Sequence, residues 1–420
     1  MKLLSRLIAL LSFATLLHAD MLPGFRVETV ARVPDFASSV AVDSHGVVYC
    51  TTTRGWIYRI DGDQATPIAS LPTHDGGNGG LLGMALLDDD TAAVHYTTWN
   101  GQKDDSATVI ADVVSTVDLA SGAEHVLHTF VCDVDVPSRG ASAEHHGGNP
   151  TVAPDGSIFV GIGEYNGRIA AQAEGWNGGR VWRVQRDGTA TEWARGLRNP
   201  YDLACEPDGQ HVVVADNGPD NGDEINIAGP SSNLGWPNTF GNEPPMIGGT
   251  APVYVFPTTV APTGLARLDG SNALLPRGYL VGSFVTSAVY YFQDLGASPV
   301  PPPHAVVSGL DEPVIDVTQA PQGALYLATS GFAGTSTIRR LVVPQRGDCD
   351  GNGHVDFRDV YPLMRELADG GDPHAMVTAQ DGDYTGSWGC DANADGLISG
   401  ADLQALGRLI SNRRRSVGGR

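Results

Sequence analysis

The chain has 420 residues, a formal net charge of -22, 53 glycines and 27 prolines. That charge excludes nucleic acid and anionic membrane surfaces as partners, because both would repel it. The turn-forming composition, with few aromatics, points to many short strands and excludes a helical bundle. In chain order, Lys2 and Arg6 precede an apolar run from Leu7 to Leu17, with the small residue Ala19 after it. This is the pattern of a secretory signal peptide over residues 1–19, too short for a helix to span a bilayer. A secreted or periplasmic protein is expected, with no membrane span.

One pattern then recurs: an apolar pair, a turn closed by glycine, and an alternating strand. It reads AVDSHGVVYCTT from Ala41, TVAPDGSIFVGIG from Thr151, LACEPDGQHVVVAD from Leu203 and VTQAPQGALYLATS from Val317. Weaker copies begin at Gly83 and Leu265. Each copy reads as a hairpin, and six such units read as an all-β, six-bladed propeller over residues 20–345. Propellers gather loops from several blades at the mouth of a central channel, where ligands bind. Polar stretches near the inner strands are therefore expected to converge there.

Four stretches stand out: GGNGGLLGMAL from Gly76, EHHGGNP from Glu144, GLRNP from Gly196 and ADNGPDNGDEIN from Ala215. Taken in order, they resemble the glucose/sorbosone dehydrogenase family of soluble aldose sugar dehydrogenases. The resemblance covers roughly Leu22 to Val343 and implies the same six-bladed fold. It also implies pyrroloquinoline quinone (PQQ) with calcium as cofactors, and oxidation of a sugar or related aldehyde at the anomeric carbon. His145 then falls at the general base, a role suited to a side chain that ordinarily titrates near neutral pH. Arg198 falls where a guanidinium polarises a quinone oxygen, and Asn199 where an amide orients cofactor or sugar. Asn78 and Glu144 occupy further cofactor positions. Gly218 and Pro219 match a pair whose main-chain carbonyls hold calcium, a hard cation that accepts oxygen ligands.

Departures fall on the cofactor contacts. A family lysine is replaced by Val285, and two arginines by Pro313 and Ile315. PQQ carries three carboxylates, and burying them without cations is costly. Arg168 and Arg180 are candidates to compensate. The alternative is a non-catalytic propeller that has lost the quinone site and binds carbohydrate or protein.

The C-terminal residues change character. Asp348, Asp350, Asn352, Asp356 and Asp359 stand at positions 1, 3, 5, 9 and 12 of a calcium loop, with Gly353 at 6 and the His354 carbonyl at 7. Asp391, Asn393, Asp395, Leu397, Ser399 and Asp402 repeat the spacing around Gly396. Each loop is followed by one helix, so residues 346–412 resemble a type I dockerin, ahead of a basic tail at 413–420. The resemblance implies a cohesin-like protein partner. A duplicated module brings its two loops together, so Cys349 and Cys390 are expected to form a disulfide. Cys50 and Cys205, in apolar runs, are expected to be buried.

Overall fold

The computed structural model describes residues 26–99, 109–132, 144–165, 167–272, 275–331, 334–342, 346–349, 354–369, 387–393, 395 and 397–417. The expected signal peptide and Asp350, Asn352, Gly353 and Gly396 lie outside them. The strands form six sheets, mostly of four strands each. Their innermost strands are Ala37–Val42, Leu81–Leu86, Thr151–Val152, Pro200–Cys205, Pro262–Leu268 and Val314–Gln319. Each contacts the next in chain order, and the last contacts the first, so the sheets close a ring. This is a six-bladed β-propeller, as the repeats predict. The N-terminal strand Arg26–Pro34 is the outermost strand of the last blade, beside Thr335–Val342. An ion pair from Arg340 to Glu28 at 2.7 Å ties the two chain segments.

The glycine that closes each repeat is required by its turn. Gly46, Gly156, Gly209 and Gly323 have φ between 63° and 86°, a region without penalty only for a residue lacking Cβ. Each donates its N–H to the carbonyl three residues earlier, Asp43, Ala153, Glu206 and Ala320, at 2.8–3.1 Å. These turns align the inner strand of each blade with its neighbour, and apolar side chains then pack between adjacent sheets. Tyr49, Ile57, Leu81 and Val94 fill the gap between the first and second blades. Phe159, Trp193, Leu203 and Val214 do so between the third and fourth. No helix among the described residues is long and apolar enough to cross a membrane.

The inner strands carry a feature that repeats do not reveal. In five of the six sheets, the pairing of inner strand to its neighbour slips by a bulge near the strand start. The residues skipped include Ser38, Leu82, Tyr201, Thr263 and Ile315. A bulge re-aims a side chain, here at one end of the channel.

The chain divides into two compact units, the propeller over 27–301 and 310–341 and a unit holding the residues from 342 onward. In the latter, helices Val360–Asp369 and Gly400–Val417 bury Leu363, Leu406 and Ile410 with Val355 and Ile398. Cys349 and Cys390 are disulfide-bonded. Cys50 is fully buried, as expected, whereas Cys205 is only half-buried.

Candidate active site

A cavity of about 500 Å³ opens at the end of the channel where the bulges lie. Ser38, Leu82, Tyr201 and Thr263, four of the bulge residues, line it, together with Asn78, His145, Asn199 and Asn217. Phe36 and Phe284 supply aromatic wall. The cavity thus joins apolar surface to hydroxyl and amide groups from several blades.

His145 adopts φ 59°, a left-handed conformation that few side chains take without compensation. Its Nδ1 lies 3.3 Å from Oε1 of Glu164, which is 1 % exposed. The other carboxylate oxygen of Glu164 accepts from Trp236 Nε1 at 2.6 Å. A carboxylate only accepts, so Nδ1 of His145 carries the proton and Nε2 is left as the basic nitrogen. A histidine oriented by a buried carboxylate is the arrangement of a general base. Glu164 has no signal of its own in the sequence, because its relation to His145 and Trp236 exists only once the strands of the third blade, Ser232–Asn233 among them, are assembled.

Asn199 works mainly as a brace. Its Oδ1 accepts the Gly147 amide at 3.1 Å, holding the loop that carries His145. Below it, Asp216 accepts the amides of Arg198 at 3.0 Å and Asn199 at 2.7 Å. Burial, with the Glu224 carboxylate nearby, pushes Asp216 up to about 8. Burial raises Glu224 as well. Asp202 and Asp316 face one another in the channel and are also raised, first by burial.

Other predicted positions are placed as follows. Arg198 lies beside the cavity rather than in its lining: Nη1 donates to the carbonyls of Asn217 at 3.0 Å and Gly218 at 3.3 Å. Its guanidinium sits 5.9 Å from the Trp236 ring centre. The Pro219 carbonyl accepts the Gly222 amide at 2.8 Å. Each of these carbonyls retains one lone pair for a cation. Asp223 shapes this turn by accepting the amides of Gly218, Val260 and Ala261 at 2.8–3.1 Å. Glu144 is exposed and does not line the cavity. Arg168 is exposed, with its guanidinium 5.6 Å from the centre of the same tryptophan ring. Arg180 is fully buried and paired with Glu192 at 2.9 Å, so it is part of the third blade and faces no ligand. Val285 is 57 % exposed and Ile315 is buried.

Among the described residues, the cavity lining holds no lysine or arginine, and its one carboxylate is Asp75. Arg54 reaches Asp75 at 3.6 Å but is shared with Asp35 at 2.9 Å. A lining so poor in positive charge does not fit a tricarboxylate held by ion pairs.

In the C-terminal unit, Asp391, Asp395 and Asp402 direct carboxylates at their own loop. Asp402 accepts the amides of Asn393 and Ser399 at 3.1 and 2.8 Å, and Asp391 that of Asp395 at 3.2 Å. Leu397 donates its amide to Asp395 at 2.9 Å, leaving its carbonyl for a ligand. In the first loop, Asp359 accepts the Asp356 amide at 2.7 Å. Asp348, Asp359, Asp391 and Asp402 are all buried, while His354 is exposed. Four buried carboxylates in and beside two turns are the residue type that suits a hard cation.

The family model for glucose/sorbosone dehydrogenases matches residues 36–340. The chain is 24 % identical over 220 residues to the aldose sugar dehydrogenase YliI of Escherichia coli, a match covering 46 % of this chain and 59 % of that protein. The chain thus spans well under two thirds of that relative. Among solved structures, the apo aldose sugar dehydrogenase of E. coli superposes with a TM-score of 0.64 at 20 % identity, covering 75 % of this chain and 99 % of that one. The PQQ-bound aldose sugar dehydrogenase of Streptomyces coelicolor gives 0.62 at 20 % identity, covering 76 % and 99 %.

Proposed function

Because the chain belongs to the glucose/sorbosone dehydrogenase family, we propose that it is an exported oxidoreductase that takes an aldose or related sugar in the mouth cavity and oxidises it at the anomeric carbon. The observation that carries this reading is the His145–Glu164 pair, with the bonded nitrogen on a buried carboxylate and the second left to a ligand. His145 takes the anomeric hydroxyl proton and Glu164 stabilises the resulting imidazolium, while the hydride on the same carbon passes to a separate two-electron acceptor that this reading requires as co-reactant. Asn78, Asn199 and Asn217 offer amides to sugar hydroxyls, and Phe36 and Phe284 offer faces for the ring. When bound, PQQ supplies a two-electron acceptor in such enzymes. The cation-poor lining does not suit that group, and no step is assigned through it.

That same lining favours a second reading, a propeller that binds carbohydrate without chemistry. In both readings the C-terminal loops hold calcium and, on their resemblance to a dockerin, tether the propeller to a cohesin-like protein. Adding PQQ and calcium to the full chain, and following cofactor binding and dye reduction across a panel of aldoses, separates the readings. Turnover that disappears in His145→Ala supports the oxidoreductase. Sugar binding without quinone binding at micromolar cofactor sinks it in favour of the second.

A further inference from the structure

One residue beyond His145 in the chain, a second group of ligating side chains lies in the protein, and neither the proton relay nor the sugar cavity uses it. Asp112 belongs to the strand Val109–Asp118 of the second blade and is fully buried. The buried His146 places Nδ1 at 3.2 and 3.1 Å from the two Asp112 oxygens. The half-buried Cys132 places Sγ 3.8 Å from Asp112 Oδ2. One carboxylate oxygen, the thiol sulfur and one imidazole nitrogen all lie within 4.8 Å of one another.

These separations are informative. Metal–ligand distances of about 2.0 Å to nitrogen or oxygen and about 2.3 Å to sulfur put tetrahedral ligands roughly 3.3–3.8 Å apart. A thiolate, an imidazole and a carboxylate form a donor set for a zinc-class ion, whereas calcium and magnesium take oxygen. One thiolate and one carboxylate offset the two charges of a divalent ion. A fourth residue completes the frame. His95, also fully buried, has Nε2 3.2 Å from Asp112 Oδ1 and Nδ1 2.8 Å from the Gly148 carbonyl. The Gly148 carbonyl and the Asp112 carboxylate both only accept, so the His95 ring donates from both nitrogens and fixes the Asp112 oxygen that the thiol does not approach. Outer hydrogen bonds of this kind orient metal ligands.

We propose that Asp112, Cys132 and His146 bind a zinc-class divalent ion, with His95 as the positioning residue and a fourth coordination position open. Binding releases the Cys132 thiol proton to solvent and moves the His146 proton from Nδ1 to Nε2. The ion joins the second-blade sheet to the loop bearing His145, so it fixes that loop whichever function the cavity serves.

The test uses the full chain in calcium-saturated buffer, so that the C-terminal loops are already filled, with Co²⁺ and Zn²⁺ as probes. One equivalent of Co²⁺ should give a saturable thiolate-to-cobalt charge-transfer band that Zn²⁺ bleaches. Cys132→Ser should abolish the band with Cys50 and Cys205 still present, and Asp112→Asn should weaken binding at least about tenfold. X-ray absorption of the zinc-loaded native chain, which needs no variant to fold, should show one sulfur among nitrogen and oxygen neighbours. A missing band, a band that survives in Cys132→Ser, or a shell of oxygen and nitrogen alone overturns the proposal.

Discussion

Replacing Glu164 by glutamine keeps the shape of the side chain but withdraws the charge that faces His145 Nδ1 at 3.3 Å. In the proposed oxidation the imidazolium formed on proton abstraction then loses its counter-charge, while the Trp236 bond retains an oxygen acceptor. Sugar oxidation by Glu164→Gln should fall about 10²-fold in kcat with KM little changed. Steady-state kinetics check this, and an unaltered kcat would remove Glu164 from the relay. Asp216 tests a different property of the same region. Its folded value of about 8 stands far above the ordinary 3.8. The folded state therefore binds the proton more tightly than the unfolded chain. Stability from this group is fully present below about pH 4 and is lost as pH rises toward 8, by at most about 1.4 kcal/mol per pH unit. Urea midpoints measured from pH 5 to pH 9 should fall with rising pH, and Asp216→Asn should flatten the slope. Asp202, Asp316 and Glu224 titrate in the same direction, so the difference between the two proteins is the informative quantity.

Loops and strands decide whether such side chains meet. The glycine pair after His146 shows how closely the backbones approach: a Cβ on Gly147 would lie 2.0 Å from the Gly161 carbonyl oxygen. Gly156 shares its φ of 82° but has nothing within 4 Å of that position. Gly156→Ala should therefore cost only the left-handed penalty of about 1–2 kcal/mol. Gly147→Ala must also displace the third blade or the His145 loop. Thermal unfolding should rank Gly147→Ala well below Gly156→Ala, and equal midpoints would contradict the close approach. The contrast also explains what could be read without coordinates. Hairpin turns such as PDG at Asp155 and Asp208 are local and announce themselves through glycine. Ser38, Leu82, Tyr201 and Thr263 reach the cavity because bulges re-aim them, and nothing in their own sequence neighbourhood marks a bulge. Glu164, Asp112 and Asp223 were equally silent, since each acts on a partner 5 to 38 residues away in the chain.

At the level of the whole chain, two modules with different sources of stability follow from one sequence. The propeller rests on apolar packing between sheets and on the union of its first and last strands. Its repeat was visible because each blade has to solve the same turn. Among the described residues the C-terminal unit buries few apolar side chains, and a module that small needs reinforcement from covalent or metal links. It has the Cys349–Cys390 disulfide and four buried carboxylates, Asp348, Asp359, Asp391 and Asp402, which the proposed calcium would neutralise. On the proposal that these loops hold calcium, chelation together with a reducing agent removes both supports while leaving the propeller's packing untouched. Calorimetry of the full chain should then show the module's transition lost, with the propeller transition shifted by no more than a few degrees. Circular dichroism should lose helix and keep strand signal under the same conditions. A single transition that collapses for the entire protein would mean that the propeller draws its stability from the same ions, and the separation argued from packing would fail.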